Sequence, residues 1–227
     1  MKNLVILSIL FFLTPKANSQ SFSASIGTDI PYQHYLGINM ELKNIDISYR
    51  TGILVPPYSD AILGIIERLG TDEIYIKLLD VAYEFGWMNS VGVYYKFGSE
   101  QKWYAGSEFR FDYLSASDTP AELVEAISGQ TINRPNFINR NIELKLGLRM
   151  LALGLRFGRT FNLGTSNKHF LKTEFSISKH IATQSILQGN GNNLERINQE
   201  IDKLLWDDVF KTYGYVGGFG IAYSYKF

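Results

Sequence analysis

The sequence predicts an all-β fold: an eight-stranded, antiparallel, up-and-down transmembrane β-barrel with short helices in long extracellular loops. Three observations predict it. The chain opens with the layout of an export signal, apolar and polar residues alternate repeatedly along the remainder, and the breaks between alternating stretches are short at one end of the pattern and long at the other.

Met1 and Lys2 precede an apolar-dominated run from Leu4 to Leu13, and Thr14-Pro15-Lys16-Ala17-Asn18-Ser19 follows. A positive start, a short apolar stretch and small residues at −3 and −1 describe a secretory signal peptide. The expected cut follows Ser19, leaving 20–227 as one barrel domain. The run is too short for a helical span, which needs roughly 20 residues. The mean hydropathy of −0.06 resembles that of a soluble protein, but a transmembrane barrel hides its apolar signal by alternation. With no cysteine, disulfide staples and an acylated lipoprotein cysteine are both excluded. Lys plus Arg equals Asp plus Glu at 22 each, which leaves no basic excess for a nucleic-acid partner. The 14 Tyr, 15 Phe and 3 Trp suit a chain with membrane interfaces, where Tyr and Trp gather.

The last strand is the clearest. Tyr213, Tyr215, Phe219, Ile221, Tyr223, Tyr225 and Phe227 alternate with Gly214, Val216, Gly218, Gly220, Ala222, Ser224 and Lys226. Period two over this length is a strand between unlike environments. A narrow barrel cannot hold so many rings, so the small side is expected inward. The same alternation covers Phe22 to Gly27, Tyr35 to Leu42, Ile45 to Arg50, Val91 to Phe97 and Trp103 to Tyr113. In Asn141 to Leu163 the apolar phase runs even through Met150 and odd from Leu151. Such a flip means a hairpin or a bulge. An even strand number selects the bulge, and Phe170 to Ile181 becomes strand seven. Lys43-Asn44, Gly98 to Gln101 and Gly164 to Lys168 are then short turns. Pro56 to Tyr83, Ala116 to Asn136 and Ala182 to Thr212 are long loops.

Each long loop carries helical signals. Ser59-Asp60 precedes Ile62, Ile65, Ile66 and Leu69. Thr119 and Glu122 have capping-box spacing around Pro120. Asn193 precedes the amphipathic set Leu194, Ile197, Ile201, Leu204 and Leu205. Asp72 to Phe85 fits either another helix or an extension of strand four.

The closing segment, with Phe219, Ile221, Tyr223, Tyr225 and Phe227 at every second position, resembles the last strand of outer-membrane β-barrels. The plan as a whole resembles the OmpA/OmpX-type barrels and the porin-like barrel family common in Bacteroidetes. The resemblance implies a bacterial outer-membrane location with periplasmic termini and extracellular long loops. It also implies outer-membrane lipid as surroundings, and recognition of those five residues by the barrel-assembly machinery. It implies no single activity, since a fold hosts many functions.

By phase, Glu41, Asp46, Arg50, Lys96, Glu108, Arg110, Asp112, Glu143, Lys145, Arg149, Lys172, Glu174 and Lys226 are expected to face the lumen. Buried charges must pair, so an ion-pair plug is the leading reading and a narrow porin or transporter path the alternative. Ser178 and His180 share that face near the outer rim. A hydrolase would need a third, orienting group beside them, and the sequence places none. Three scattered His residues and no Cys give no metal cluster, and no cofactor is expected. The loop helices either pack on one another or offer Ile62, Ile66, Leu123, Ile201 and Leu205 as a contact surface for an unknown extracellular ligand or protein partner.

Overall fold

The computed structural model of the protein describes residues 20–55, 57–83, 85–116, 119–132, 144–189 and 191–227. The expected signal segment 1–19, Glu143 and the start of the expected sixth strand at Asn141 lie outside the described residues. Eight antiparallel strands close into a barrel in chain order. They are β1 (Gln20–Ile30), β2 (Gln33–Leu42), β3 (Ile45–Leu54), β4 (Phe85–Phe97), β5 (Trp103–Ser115), β6 (Leu144–Asn162), β7 (His169–Gly189) and β8 (Tyr215–Lys226). The ring shuts between β1 and β8, from Ser23 opposite Lys226 to Ile30 opposite Phe219.

Side-chain size decides which face is inside. In β8, Val216, Ala222 and Ser224 are buried, while Tyr215, Ile221 and Tyr223 are 40–52% exposed on the outer face. The interior of an eight-stranded barrel is just wide enough for side chains to fill, so rings at every inward position would not fit. β8 starts at Tyr215, two residues later than the alternation suggests. The Gly214 N–H bonds to the Phe210 carbonyl at 3.0 Å and so completes a helical turn first.

One end of the barrel carries only short turns. At the other end, Pro31-Tyr32 joins β1 to β2, and the remaining three connections build a helical cap. Between β3 and β4 lie α1 (Tyr58–Arg68) and α2 (Glu73–Ala82); between β5 and β6 lies α3 (Ala121–Ser128). Between β7 and β8, α4 (Leu194–Leu204) runs through a π-helical turn (Leu205–Phe210) into the short α5 (Lys211–Tyr213). The ambiguous segment after Asp72 is a helix: the Asp72 carboxylate accepts a hydrogen bond from the Ile74 N–H at 3.1 Å, an N-cap that stabilises the first turn. The expected Thr119–Glu122 capping box does not form. Pro120 is the N-cap, and the Thr119 hydroxyl oxygen accepts from the Leu146 N–H at 3.1 Å, tying α3 to β6.

The two longest strands correct the expected pattern. In β6 the even positions Leu144, Leu146, Leu148, Met150, Ala152 and Arg156 are all buried, so the strand never changes face. The environment changes instead. Inward residues of the upper half meet the apolar cap, and outward residues of the lower half, Leu153, Leu155 and Phe157, form an apolar exterior. The register shift lies across the pair: Leu151 faces Ala182 and Ala152 faces His180, so Ile181 of β7 is the extra residue. β7 also runs on to Gly189, through residues expected to be loop.

Above Lys179, β7 has no β8 partner, which would leave edge N–H groups unpaired. The helical connection supplies acceptors. His180 N–H bonds to the Gly214 carbonyl at 2.9 Å, Leu187 N–H to Asn198 Oδ1 at 2.8 Å, and Ser185 N–H to the Asp202 carboxylate. The cap is therefore anchored by polar bonds to a strand edge as well as by packing. Its apolar faces join the upper inward positions in one cluster, in which Leu54, Met88, Leu114, Leu146 and Leu148 meet Leu78, Val124, Ile197, Ile201 and Leu205.

Two outcomes follow from this packing. Ile197 is fully buried in α4, and Ile197→Ala is expected to cost about 2–5 kcal/mol of cap stability. Limited proteolysis should then cut the cap while the strand circular dichroism persists. On α2, partial burial and a 2.7 Å hydrogen bond to Asp208 push the Tyr75 hydroxyl up to about 12. A phenol raised on folding adds stability below its ordinary pKa of 10.0, and that stability is lost as pH climbs through 12. An absorbance titration of wild type against Tyr75→Phe should show the missing late-ionising phenol.

Candidate functional site

Below the apolar cluster the inward positions become polar and ionised, and the lumen is crossed by a layer of buried ion pairs. Arg156 of β6 is at its centre. Its guanidinium donates to Asp29 at 3.0 Å through both terminal nitrogens, to Glu108 at 3.0 and 3.2 Å, and to Glu174 at 2.8 Å. These carboxylates come from β1, β5 and β7, so one side chain links four strands. Arg50 of β3 grips Glu174 bidentately at 2.7 and 2.6 Å and stacks 4.8 Å from the Tyr35 ring centroid. A fork of two parallel N–H···O bonds is the strong form of this pairing.

Two tyrosines complete the layer. Tyr94 donates to Glu108 at 3.0 Å and Tyr104 to Glu174 at 2.5 Å. Both rings lie across glycines. A Cβ on Gly92 would come within 2.1 Å of the Tyr94 hydroxyl, and one on Gly158 within 2.4 Å of the Tyr104 ring. The missing side chains give the phenols their path to the carboxylates. Arg50, Arg156, Asp29, Glu108 and Glu174 are each no more than 6% exposed.

A second group sits between this layer and the cap. Arg110 donates to Asp112 at 2.8 Å and lies 4.2 Å from the Tyr32 ring centroid. His180 Nε2 is 3.7 Å from the same Asp112 oxygen. A third group occupies the turn end. Glu41 takes Lys96 at 2.6 Å and Lys226 at 2.9 Å on its two oxygens, and Lys172 faces Asp46 at 3.7 Å.

Several expected lumen residues are elsewhere. Lys145 and Arg149 point outward and are exposed, because β6 keeps one face inward along its length. Asp29 and Arg156 did not figure among the expected lumen charges. Each continues an alternation visible in the sequence: Asp29 follows Ser23, Ser25 and Gly27, and Arg156 lies between outward Leu155 and Phe157.

The contact-surface set is also relocated. Ile62, Ile66, Ile201 and Leu205 are buried within the cap and Leu123 is partly buried. Ser178 and His180 do share the inward face, but they take different partners. The Ser178 hydroxyl pairs with Tyr32 at 3.1 Å, and His180 Nδ1 faces the Gly214 carbonyl at 3.1 Å. That geometry gives no nucleophile–base pair. Among the described residues no group of His, Cys, Asp and Glu could hold a metal ion.

No family model and no curated protein matches the chain. Among solved structures, the fold is similar to that of a major outer membrane protein from Thermus thermophilus. The identity is 12% and the TM-score 0.50, covering 92% of this chain and 100% of that one. Lower TM-scores of 0.41 and 0.38 relate it to Acinetobacter baumannii CarO2 and to the N-terminal beta-barrel domain of Pseudomonas aeruginosa OprF. Their identities are 10% and 11%, each covers 92% of this chain, and the matches span 100% and 98% of those chains. At such identities the likeness is one of fold.

Arg156→Ala would leave three buried carboxylates short of donors, which should cost about 3–5 kcal/mol. Arg156→Lys should recover only part of that, since an ammonium cannot make forked contacts on several sides. Exposed Lys145→Ala and Arg149→Ala should stay within about 0.5 kcal/mol of wild type. Urea unfolding of the barrel in lipid vesicles measures all four.

Proposed function

We propose that this chain is an integral barrel of a bacterial outer membrane whose lumen is closed, and that it acts as a structural or surface-interaction protein. The observation that carries the membrane reading is the apolar belt on the outside of the closed ring. Ile26, Leu36, Ile38, Val91, Val93, Leu155, Phe175 and Ile177 are each at least half exposed. A contiguous apolar surface of that extent marks contact with something other than water, and an outward apolar band around a closed barrel is the lipid-facing pattern. Aromatic rings border it: Trp103, Phe157 and Phe97 cluster near the turn end, and Trp87 and Phe85 lie toward the cap. Interfacial belts have this composition.

In this reading the termini and short turns are periplasmic and the cap is extracellular. Barrel strands need only about 9–11 residues to cross. β6 and β7, with 19 and 21 residues, would carry the cap clear of the lipid. The closed lumen is supported by the Arg156 layer and the apolar cluster above it, both buried from wall to wall. The cap then offers its outer, polar surface to an extracellular ligand or protein. A conducting porin would need a wet path through two layers that bury their side chains against one another, and nothing in the Ser178–His180 geometry favours hydrolysis.

Purified protein in a planar bilayer is expected to hold a flat baseline under applied voltage. Steady single-channel openings by the wild-type protein would sink the closed-lumen reading. Release from membranes by a carbonate wash would sink the membrane reading.

A further inference from the structure

We propose that the recess at the turn end of the barrel binds a small oxyanion that carries a hydroxyl, of the hydrogenphosphate class or a phosphate monoester in its singly protonated form. The recess has a volume of about 290 Å³ and is lined by Glu41, Asp46, Lys96, Lys172, Ser224 and Lys226, among others. It is far larger than one water's share of liquid volume, about 30 Å³.

Charge points to an anion. Both Glu41 oxygens are taken by Lys96 and Lys226. The remaining pair is loose: the Lys172 ammonium is 3.7 Å from Asp46, longer than a hydrogen bond. Glu100 and Lys102 at the rim pair with each other. Inside the rim, three ammonium groups therefore face two carboxylates, leaving one positive charge in excess. Lys172 is 8% exposed, with Asp46 at 3.7 Å and the Tyr104 ring centroid at 5.8 Å from its ammonium, and a buried cation held this loosely is costly without a closer counter-charge.

Two further groups point to a hydroxyl on that anion. Asp46 and Ser224 line the recess, and Asp46 Oδ1 and Ser224 Oγ are buried with no hydrogen-bond partner among the described residues. Ser224 is 1% and Asp46 5% exposed. A serine hydroxyl can donate to an oxyanion, whereas an ionised aspartate only accepts. A ligand that satisfies both needs acceptor oxygens for Lys172 and Ser224 and an O–H for Asp46. Hydrogenphosphate has both, while sulfate at neutral pH lacks the O–H. The inference uses the recess alone and stands whether or not the lumen conducts.

The test is isothermal titration of inorganic phosphate and of sulfate into the full-length barrel in phosphate-free detergent, with strand circular dichroism confirming the fold of each variant. Phosphate is expected to bind, with sulfate about tenfold weaker or more. Lys172→Met should lower phosphate affinity by about tenfold or more, and Ser224→Ala, which removes one oxygen, by a few-fold. Asp46→Asn should keep phosphate binding and lose the preference over sulfate, because an amide can donate to either anion. A folded wild type that takes up no phosphate in the millimolar range overturns the proposal. So do equal phosphate and sulfate affinities in the wild type, or undiminished binding in both Lys172→Met and Ser224→Ala. Repeating the titration in bilayers with and without phosphatidic acid separates the two sources of such a phosphate. Loss of the signal with the lipid assigns a headgroup, and an unchanged signal assigns a free anion.

Discussion

The buried polar layer that crosses the barrel depends on Arg156. An arginine carries its charge at any physiological pH, and its fork can serve several carboxylates at once. Here it serves three, from β1, β5 and β7. Arg50 takes the remaining face of Glu174. Carboxylates this deeply buried are tolerated only when paired and hydrogen-bonded, and the phenols of Tyr94 and Tyr104 add to the arginine donors. The layer therefore works as a unit: each member is stable because its neighbours hold the complementary charge. It also fixes register, since a one-residue slip of β6 would turn Arg156 outward and leave its partners stranded.

Around that layer the barrel has two interiors. Toward the turns the inward positions are small, hydroxylated or ionised; toward the cap they are Leu and Met. The apolar half could not face water, so it needs a lid, and helices α1 to α4 supply one. They are bound by the strand edge above Lys179 as well as by burial, with Asn198 and Asp202 accepting from β7 N–H groups. The long β6–β7 pair, the Ile181 bulge and the cap are thus one construction. Extending two strands creates an apolar shelf and an open edge, and α4 covers both.

The recess below the layer differs in kind. Its ion pairs are longer or shared, and Asp46 and Ser224, which line it, each keep a buried polar atom without a partner among the described residues. The Arg156 layer itself is saturated, whereas buried atoms without a partner among the described residues lie on both sides of it, Asp112 Oδ1 and His180 Nε2 toward the cap and Asp46 Oδ1 and Ser224 Oγ toward the turns.

The sequence alone determined the closure in chain order and the inward side of β8, and it set the strand count once an even number was assumed. Alternation with period two has one geometric meaning, and ring size forbids the aromatic face from lying inside. It likewise determined three of the loop helices, as Asn193 and the apolar spacing after it show for α4, and most of the lumen charges, but it left α2 open. Tertiary structure alone decided what the upper interior contains. Inward apolar residues in β6 look like a phase flip when every inward position is assumed polar, and only the cap above them reveals the same face in a new environment. That assumption sent Lys145 and Arg149 to the wrong side. The partners of Arg156 were equally out of reach, because its three carboxylates are separated by 48, 127 and 18 residues of chain and meet only when the ring closes.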